Sequence, residues 1–120
     1  MGYSFPKCIR LRKKTEIDRV FDRGAFRRFG FIRIKFLITT LGNSRYLVSV
    51  SKKVGHSPYR NHIKRLIREA IRLHRSELEQ SCDICIFVTN RPQSPVPFSY
   101  VDNKIAELFA ELNRLQAPAI

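Results

Sequence analysis

The sequence has no apolar run near the ~20 residues that a membrane-spanning helix needs, and 28% of its residues are charged. Its opening MGYSFPKCIRLRKK has no uninterrupted apolar stretch followed by a small-residue cleavage site, so no secretory signal is expected there. Cysteine is scarce and odd in number. Cys8, Cys82 and Cys85 cannot close a disulfide framework and suit a reducing compartment. These absences predict a cytoplasmic chain that binds no membrane. Acidic residues are also few, 10 against 23 Lys and Arg, and six of the ten lie in residues 76–120. No carboxylate cluster could hold a metal pair, and no nucleophile stands beside a base, so neither a catalytic residue nor a metal ligand is predicted. The spacing Cys82-Asp83-Ile84-Cys85 could suggest a redox pair or half of a zinc site. It runs into the β-branched stretch ICIFV, where residues three apart face opposite ways, and no second pair completes four ligands. Buried thiols are the expectation.

What remains is a small basic protein. The 120 residues are 43% hydrophobic, enough for one domain with one core, and no repeat or linker divides them. The net charge of +13 calls for a polyanion, with nucleic acid favoured over a membrane surface. The charge is concentrated. Residues 1–28 carry nine basic and three acidic groups, 52–75 carry eight and one, and 76–120 carry three and six. Whatever binds polyanion is therefore predicted on the N-terminal third and a central segment, with the tail serving the core.

Residues 1–14 read as an irregular basic arm with Tyr3, Phe5 and Pro6 among its cations. A first helix is predicted from Thr15, as cap, to Gly24, with Ile17, Val20 and Phe21 on one apolar stripe. Residues 31–40 and 45–51 read as strands joined through LGNS, predicting an antiparallel hairpin. Ile32, Ile34, Phe36 and Ile38 would face the core; Phe31, Arg33, Lys35 and Leu37 would form the other face. That second face mixes cations and aromatics, either as a platform for single-stranded nucleic acid or as the solvated side of a sheet. A further strand is predicted at 83–89. A last helix at 99–115 would follow, capped by Ser99 with Asp102 and burying Ile105, Leu108, Phe109, Leu112 and Leu115.

The strongest element is SPYRNHIKRLIREAIRLHR, from Ser57 to Arg75. Ser57 is the predicted cap and Pro58 fits the first turn. Ile63, Leu66, Ile67, Ala70, Ile71 and His74 repeat at helical spacing, while Arg60, Asn61, Lys64, Arg65, Arg68, Arg72 and Arg75 project elsewhere. His74 lies at the edge of the apolar stripe and is expected to pack there, not to act as a base. A helix with six Lys and Arg and one acid, Glu69, repels itself unless phosphates replace its counterions. Lys52 and Lys53 add charge where the chain turns into the helix.

Residues 48–72, VSVSKKVGHSPYRNHIKRLIREAIR, resemble the signature K-K-x-G-x-x-x-x-R-N-x-x-K-R-x-x-R-E of the protein subunit of bacterial ribonuclease P. Lys52, Lys53, Gly55, Arg60, Asn61, Lys64, Arg65, Arg68 and Glu69 follow it position by position. RLRKKTEIDRVFDRG is similar, more loosely, to the family's first helix and its approach. There are departures: His62 stands where many members have Arg, HSP at 56–58 replaces a small-apolar run, and Ile17 and Lys35 stand where an aromatic is common.

The resemblance implies a single-domain α+β fold, a two-layer α/β sandwich. Its about four-stranded, mainly antiparallel sheet would carry an N-terminal helix, a basic central helix in a left-handed crossover, and a C-terminal helix. The implied function is that of the non-catalytic protein subunit of an endoribonuclease that removes the 5′ leader from precursor tRNA. A catalytic RNA carries the chemistry with Mg²⁺ that it mainly binds itself, and no protein partner is required. Lys52, Lys53, Arg60, Asn61, Lys64, Arg65, Arg68 and Arg72 would bind the catalytic RNA. Ile17, Phe21, Arg33 and Lys35 would line a cleft for the single-stranded leader. From composition alone, a basic ribosomal protein or another structural RNA-binding protein is the alternative.

Overall fold

The computed structural model describes residues 9–115; of the arm predicted at 1–14, residues 1–8, with Tyr3, Phe5 and Pro6, lie outside them, while Ile9 and Leu11 are buried. The elements run α1 (Lys14–Arg23), β1 (Ala25–Phe29), β2 (Ile32–Ile38), β3 (Arg45–Val50), α2 (Ser57–His74), β4 (Cys82–Val88) and α3 (Phe98–Arg114), with 3₁₀ turns at Lys52–Val54 and Arg75–Glu77. The four strands form one mixed sheet in the order β1-β2-β4-β3. β1 pairs antiparallel with β2 and β2 with β4, while β3 and β4 are parallel neighbours joined through α2.

The predicted pairing of 31–40 with 45–51 is therefore wrong. The hairpin is β1–β2, turning at Gly30, whose φ of 64° suits glycine; a Cβ there would lie 1.9 Å from the Tyr100 hydroxyl. β4 separates β2 from β3 because CDICIFV is covered on both faces and only Phe87 is half exposed. A strand with two buried faces belongs in the interior of a sheet. Phe31 also leaves its predicted face: it sits in the turn and stacks on Tyr100, 5.7 Å between centroids and 9° between planes.

α2 and α3 cover one face. Ile63, Ile67 and Ile71 of α2 and Ile105, Leu108 and Phe109 of α3 are fully covered against Ile32, Ile34, Phe36, Ile84 and Ile86. Each such side chain contributes on the order of 1.5–3 kcal/mol of transfer free energy. α1 lies on the opposite face, where Val20 and Leu11 bury Cys85, with Ile17, Leu37 and Leu47 around them. Cys82 and Cys85 thus occupy different cores, and burial pushes their thiols up to about 11 and about 12. α1 stops at Gly24, where a Cβ would lie 2.4 Å from the Val20 carbonyl oxygen and 2.5 Å from that of Phe36.

None of the three predicted side-chain caps forms. α1 opens after Lys13, whose carbonyl accepts from Glu16 and Ile17 N–H. Buried Leu11, bonded to the Tyr46 carbonyl, fixes that approach and leaves Thr15 inside the helix. α2 opens after His56, and the Ser57 hydroxyl accepts from the Arg60 guanidinium at 2.9 Å. α3 opens after Pro97, which places Ser99 inside the helix, and Asp102 is turned toward His74.

His74 ties α2 to α3. Its Nε2 lies 2.7 Å from Asp102 Oδ1 and its Nδ1 3.1 Å from the Glu77 carboxylate. Burial alone would lower its pKa, but hydrogen bonds to Glu77 and Asp102 and their charges outweigh that and raise it. A folded pKa above the unfolded one means that this tie stabilises fully below pH ~6.5 and is lost as pH climbs through the raised value. His74→Gln should therefore lower stability more at pH 5.5 than at pH 8.5. Urea unfolding at both pH values checks this, and equal losses would reject it.

Candidate RNA-binding surfaces

The cationic side of α2 exists because its other side is spent on the core. Ile63, Ile67, Ala70 and Ile71 are fully buried, so side chains a half-turn away must face outward. Asn61 and Arg65 are exposed there, and Lys64 and Arg68 are half-buried. Lys52 and Lys53 are exposed on the preceding turn, where Val54 is buried and the Ser51 hydroxyl accepts from the Lys53 N–H. Arg60 is a brace for that turn: its Nε donates to the Gly55 carbonyl at 3.0 Å, besides its bond to Ser57. Arg72 donates to Glu69, Nε to Oε2 at 3.2 Å. The six predicted residues on α2 project to the side of that helix away from its buried stripe, with Lys52 and Lys53 on the turn before it, but Arg60 and Arg72 also serve contacts within the chain.

Two arginines outside the prediction shape this surface. Arg10 lies in a parallel bridge with Tyr46, along the open edge of β3. Burial first, and then the nearby Arg10 charge, lower the Arg68 pKa. Two cations held in one neighbourhood are a site that an anion would relieve. Arg91 places its guanidinium 4.5 Å from the centre of the Tyr59 ring and donates to the Val54 carbonyl at 3.3 Å. A Cβ on Gly55 would come 3.0 Å from Arg91 Nη1 and 3.1 Å from the Tyr59 ring, so glycine at that signature position lets the turn close under the Arg91–Tyr59 pair.

On the opposite face of the sheet, α1 leaves a groove. Val20 takes the core position and is fully buried, whereas Phe21 is 41% exposed, with its ring 5.7 Å from that of Phe87. Ile17 is half-buried beneath, against the small core of Leu11, Val20 and Cys85. Lys35 donates from Nζ to the Phe21 carbonyl at 3.2 Å, at the negative end of α1. Arg33 is the cross-strand partner of Phe87. The hollow beside Phe21 and Phe87 is about 270 Å³ and reaches Ser49, Ser51 and Thr89, so its far end adjoins Lys52. Phe21, Arg33 and Lys35 are brought onto one face. Phe87 was missed because a lone aromatic in a buried strand gives no separate signal, and Arg10 and Arg91 because their roles depend on contacts distant in sequence.

α1 is held over this groove by an ion-pair network. Arg45 donates to Asp83 through Nε and Nη2, at 2.9 and 2.7 Å, and to Glu16 of α1 through Nη1 at 3.0 Å. Hydrogen bonding to Asp83 leads the causes that raise the Arg45 pKa further. Among the described residues, no group of three His, Cys, Asp or Glu side chains could hold a metal ion.

Residues 5–113 match the sequence model of the family described as Ribonuclease P. The chain is 34% identical over 102 residues to the ribonuclease P protein component of Caldanaerobacter subterraneus subsp. tengcongensis, spanning 85% of this chain and 87% of that protein. It is 38% identical over 86 residues to that of Dictyoglomus thermophilum, spanning 72% of each. The fold superposes on the Staphylococcus aureus RNase P protein with a TM-score of 0.75 and 25% identity, over 90% of this chain and 97% of that one. These matches set aside the ribosomal-protein alternative. A chain with this fold and this signature, matched over nearly its whole length, belongs to the bacterial ribonuclease P protein family: it is a protein subunit of the tRNA-processing endoribonuclease whose chemistry is carried by RNA.

Proposed function

We propose that the two surfaces divide the subunit's work in the cytoplasm. Lys52, Lys53, Asn61, Lys64, Arg65 and Arg68, with Arg60 and Arg72 as partial contributors, dock phosphates of the catalytic RNA. The groove of Phe21, Arg33 and Lys35, with Ile17 beneath and Phe87 opposite, receives the single-stranded 5′ leader of precursor tRNA. What carries the second assignment is Phe21, an aromatic ring left 41% exposed over Phe87 and beside two cations. Rings for bases and charges for phosphates are the requirement for binding a single strand. Glu16 and Asp83 pair with Arg45 and Glu69 pairs with Arg72, and Mg²⁺ is assigned to the RNA.

Phe21→Ala should weaken binding of precursor tRNA to the reconstituted ribonucleoprotein by roughly 1–3 kcal/mol if the ring stacks on a base, and leave mature tRNA unaffected. Equilibrium binding of the two ligands decides it. Equal losses for both would reject the leader role.

A further inference from the structure

We propose that the hollow between the β1–β2 turn and the β4–α3 loop is a second subsite for single-stranded RNA, taking leader nucleotides beyond those in the α1 groove. The proposal rests on the leader reading above. The hollow is about 420 Å³, within the range of small-ligand sites. Three arginines line it, Arg28, Arg33 and Arg91, the last with its guanidinium also over Tyr59 and bonded to the Val54 carbonyl, and no acid does. Arg28 is held at the rim by its Nε bond to the Gly30 carbonyl at 3.1 Å. Asn90, Gln93 and Ser94 add side chains able to hydrogen-bond, and Phe31 and Tyr100 line the wall as a stacked pair.

Two further observations fit a phosphate-bearing ligand. α3, 17 residues long, begins at this hollow with Pro97 as its cap, without a side-chain cap bond and without an acid in its first turn. Its first N–H groups and dipole therefore add positive potential to the three arginines. The loop that roofs the hollow contains Pro92, Pro95 and Pro97, whose fixed φ values limit the ordering entropy that binding would cost.

Arg33 and Phe87, cross-strand partners, relate the hollow to the leader groove. Arg33 lines the hollow, Phe87 meets Phe21 in the groove, and Arg28 pairs with Arg33 on the far side. At about 4.8 Å per strand, Phe87 to Arg28 spans roughly 10 Å. A strand leaving the Phe21–Phe87 pair meets Arg33 and then Arg28. That arrangement suits consecutive nucleotides of one chain better than an isolated small anion.

The test uses the ribonucleoprotein reconstituted with ribonuclease P RNA and two precursor tRNAs of identical body, one with a leader of about two nucleotides and one of about ten. Arg28→Ala changes a rim residue outside the groove. It should weaken binding of the long-leader precursor about tenfold and reduce its salt dependence by ~0.7 log units, while leaving the short-leader precursor unchanged. Equal weakening of both would place the hollow on the RNA subunit and overturn the proposal. Phe21→Ala, measured alongside, separates the failures. If Phe21→Ala weakens long-leader binding and Arg28→Ala does not, the second subsite is rejected and the groove stands. If Phe21→Ala is inert as well, the leader reading falls and takes the subsite with it.

Discussion

Arg45→Ala should destabilise the folded chain by about 3–5 kcal/mol, the range for removing one partner of a buried ion pair. That is a large part of the 5–15 kcal/mol that holds a domain together. The loss comes from what the variant leaves behind: Asp83, 5% exposed in the central strand, keeps a carboxylate with neither of its guanidinium bonds and little water. Glu16 loses its tie to the sheet, and with it α1 loses one of its anchors over the groove. Urea unfolding of Arg45→Ala and of the double variant Arg45→Met with Asp83→Leu separates charge from packing. The double variant should recover most of the loss. A single variant within about 1 kcal/mol of the parent would show that this pair is not a buried charge problem at all.

The second large effect is on RNA. Changing Lys64, Arg65 and Arg68 together to Gln keeps much of each side chain's length and removes three charges from the outward side of α2. If each docks a phosphate, the salt dependence of catalytic-RNA binding should flatten by ~0.7 to 0.9 log units per site. Affinity should fall roughly a hundredfold, taking about 1 kcal/mol for each lost contact. The fold should survive, because the stripe of Ile63, Ile67, Ala70 and Ile71 is untouched and the repulsion between Arg68 and Arg10 is relieved. Binding measured across a salt series is the check. An unchanged slope would remove phosphate docking from this helix.

The central helix was legible in the sequence because its evidence is local. Apolar residues recur every three or four positions, a proline sits in the first turn, and the cations fall on the remaining arc, all within twenty residues. Strand partners were not legible, since pairing is settled between residues far apart. LGNS looks like the turn of a hairpin, yet β4, thirty residues further on, outcompetes β3 for the inner edge of β2 because both its faces need cover. β1 was overlooked for a related reason: FRRF at 26–29 carries two arginines in an edge strand, where alternation is weak. The caps failed because Ser57 and Asp102 found cationic partners, Arg60 and His74, and Thr15 lies inside its helix. At the groove, Ile17, Val20 and Phe21 read as one stripe, but only contact with the sheet separates Val20, sealed beneath α1, from Phe21, left open beside Phe87.

β4 is the last strand among the described residues and lies between β2 and β3. During synthesis, which proceeds at ~5–20 residues per second, the earlier strands emerge with their inner edges unsatisfied and cannot close a sheet until Cys82–Val88 arrives. The basic helix leaves the ribosome before the strand that gives it a floor. A nascent chain can therefore attract RNA by charge early, but it offers a shaped face only once Cys82–Val88 has emerged.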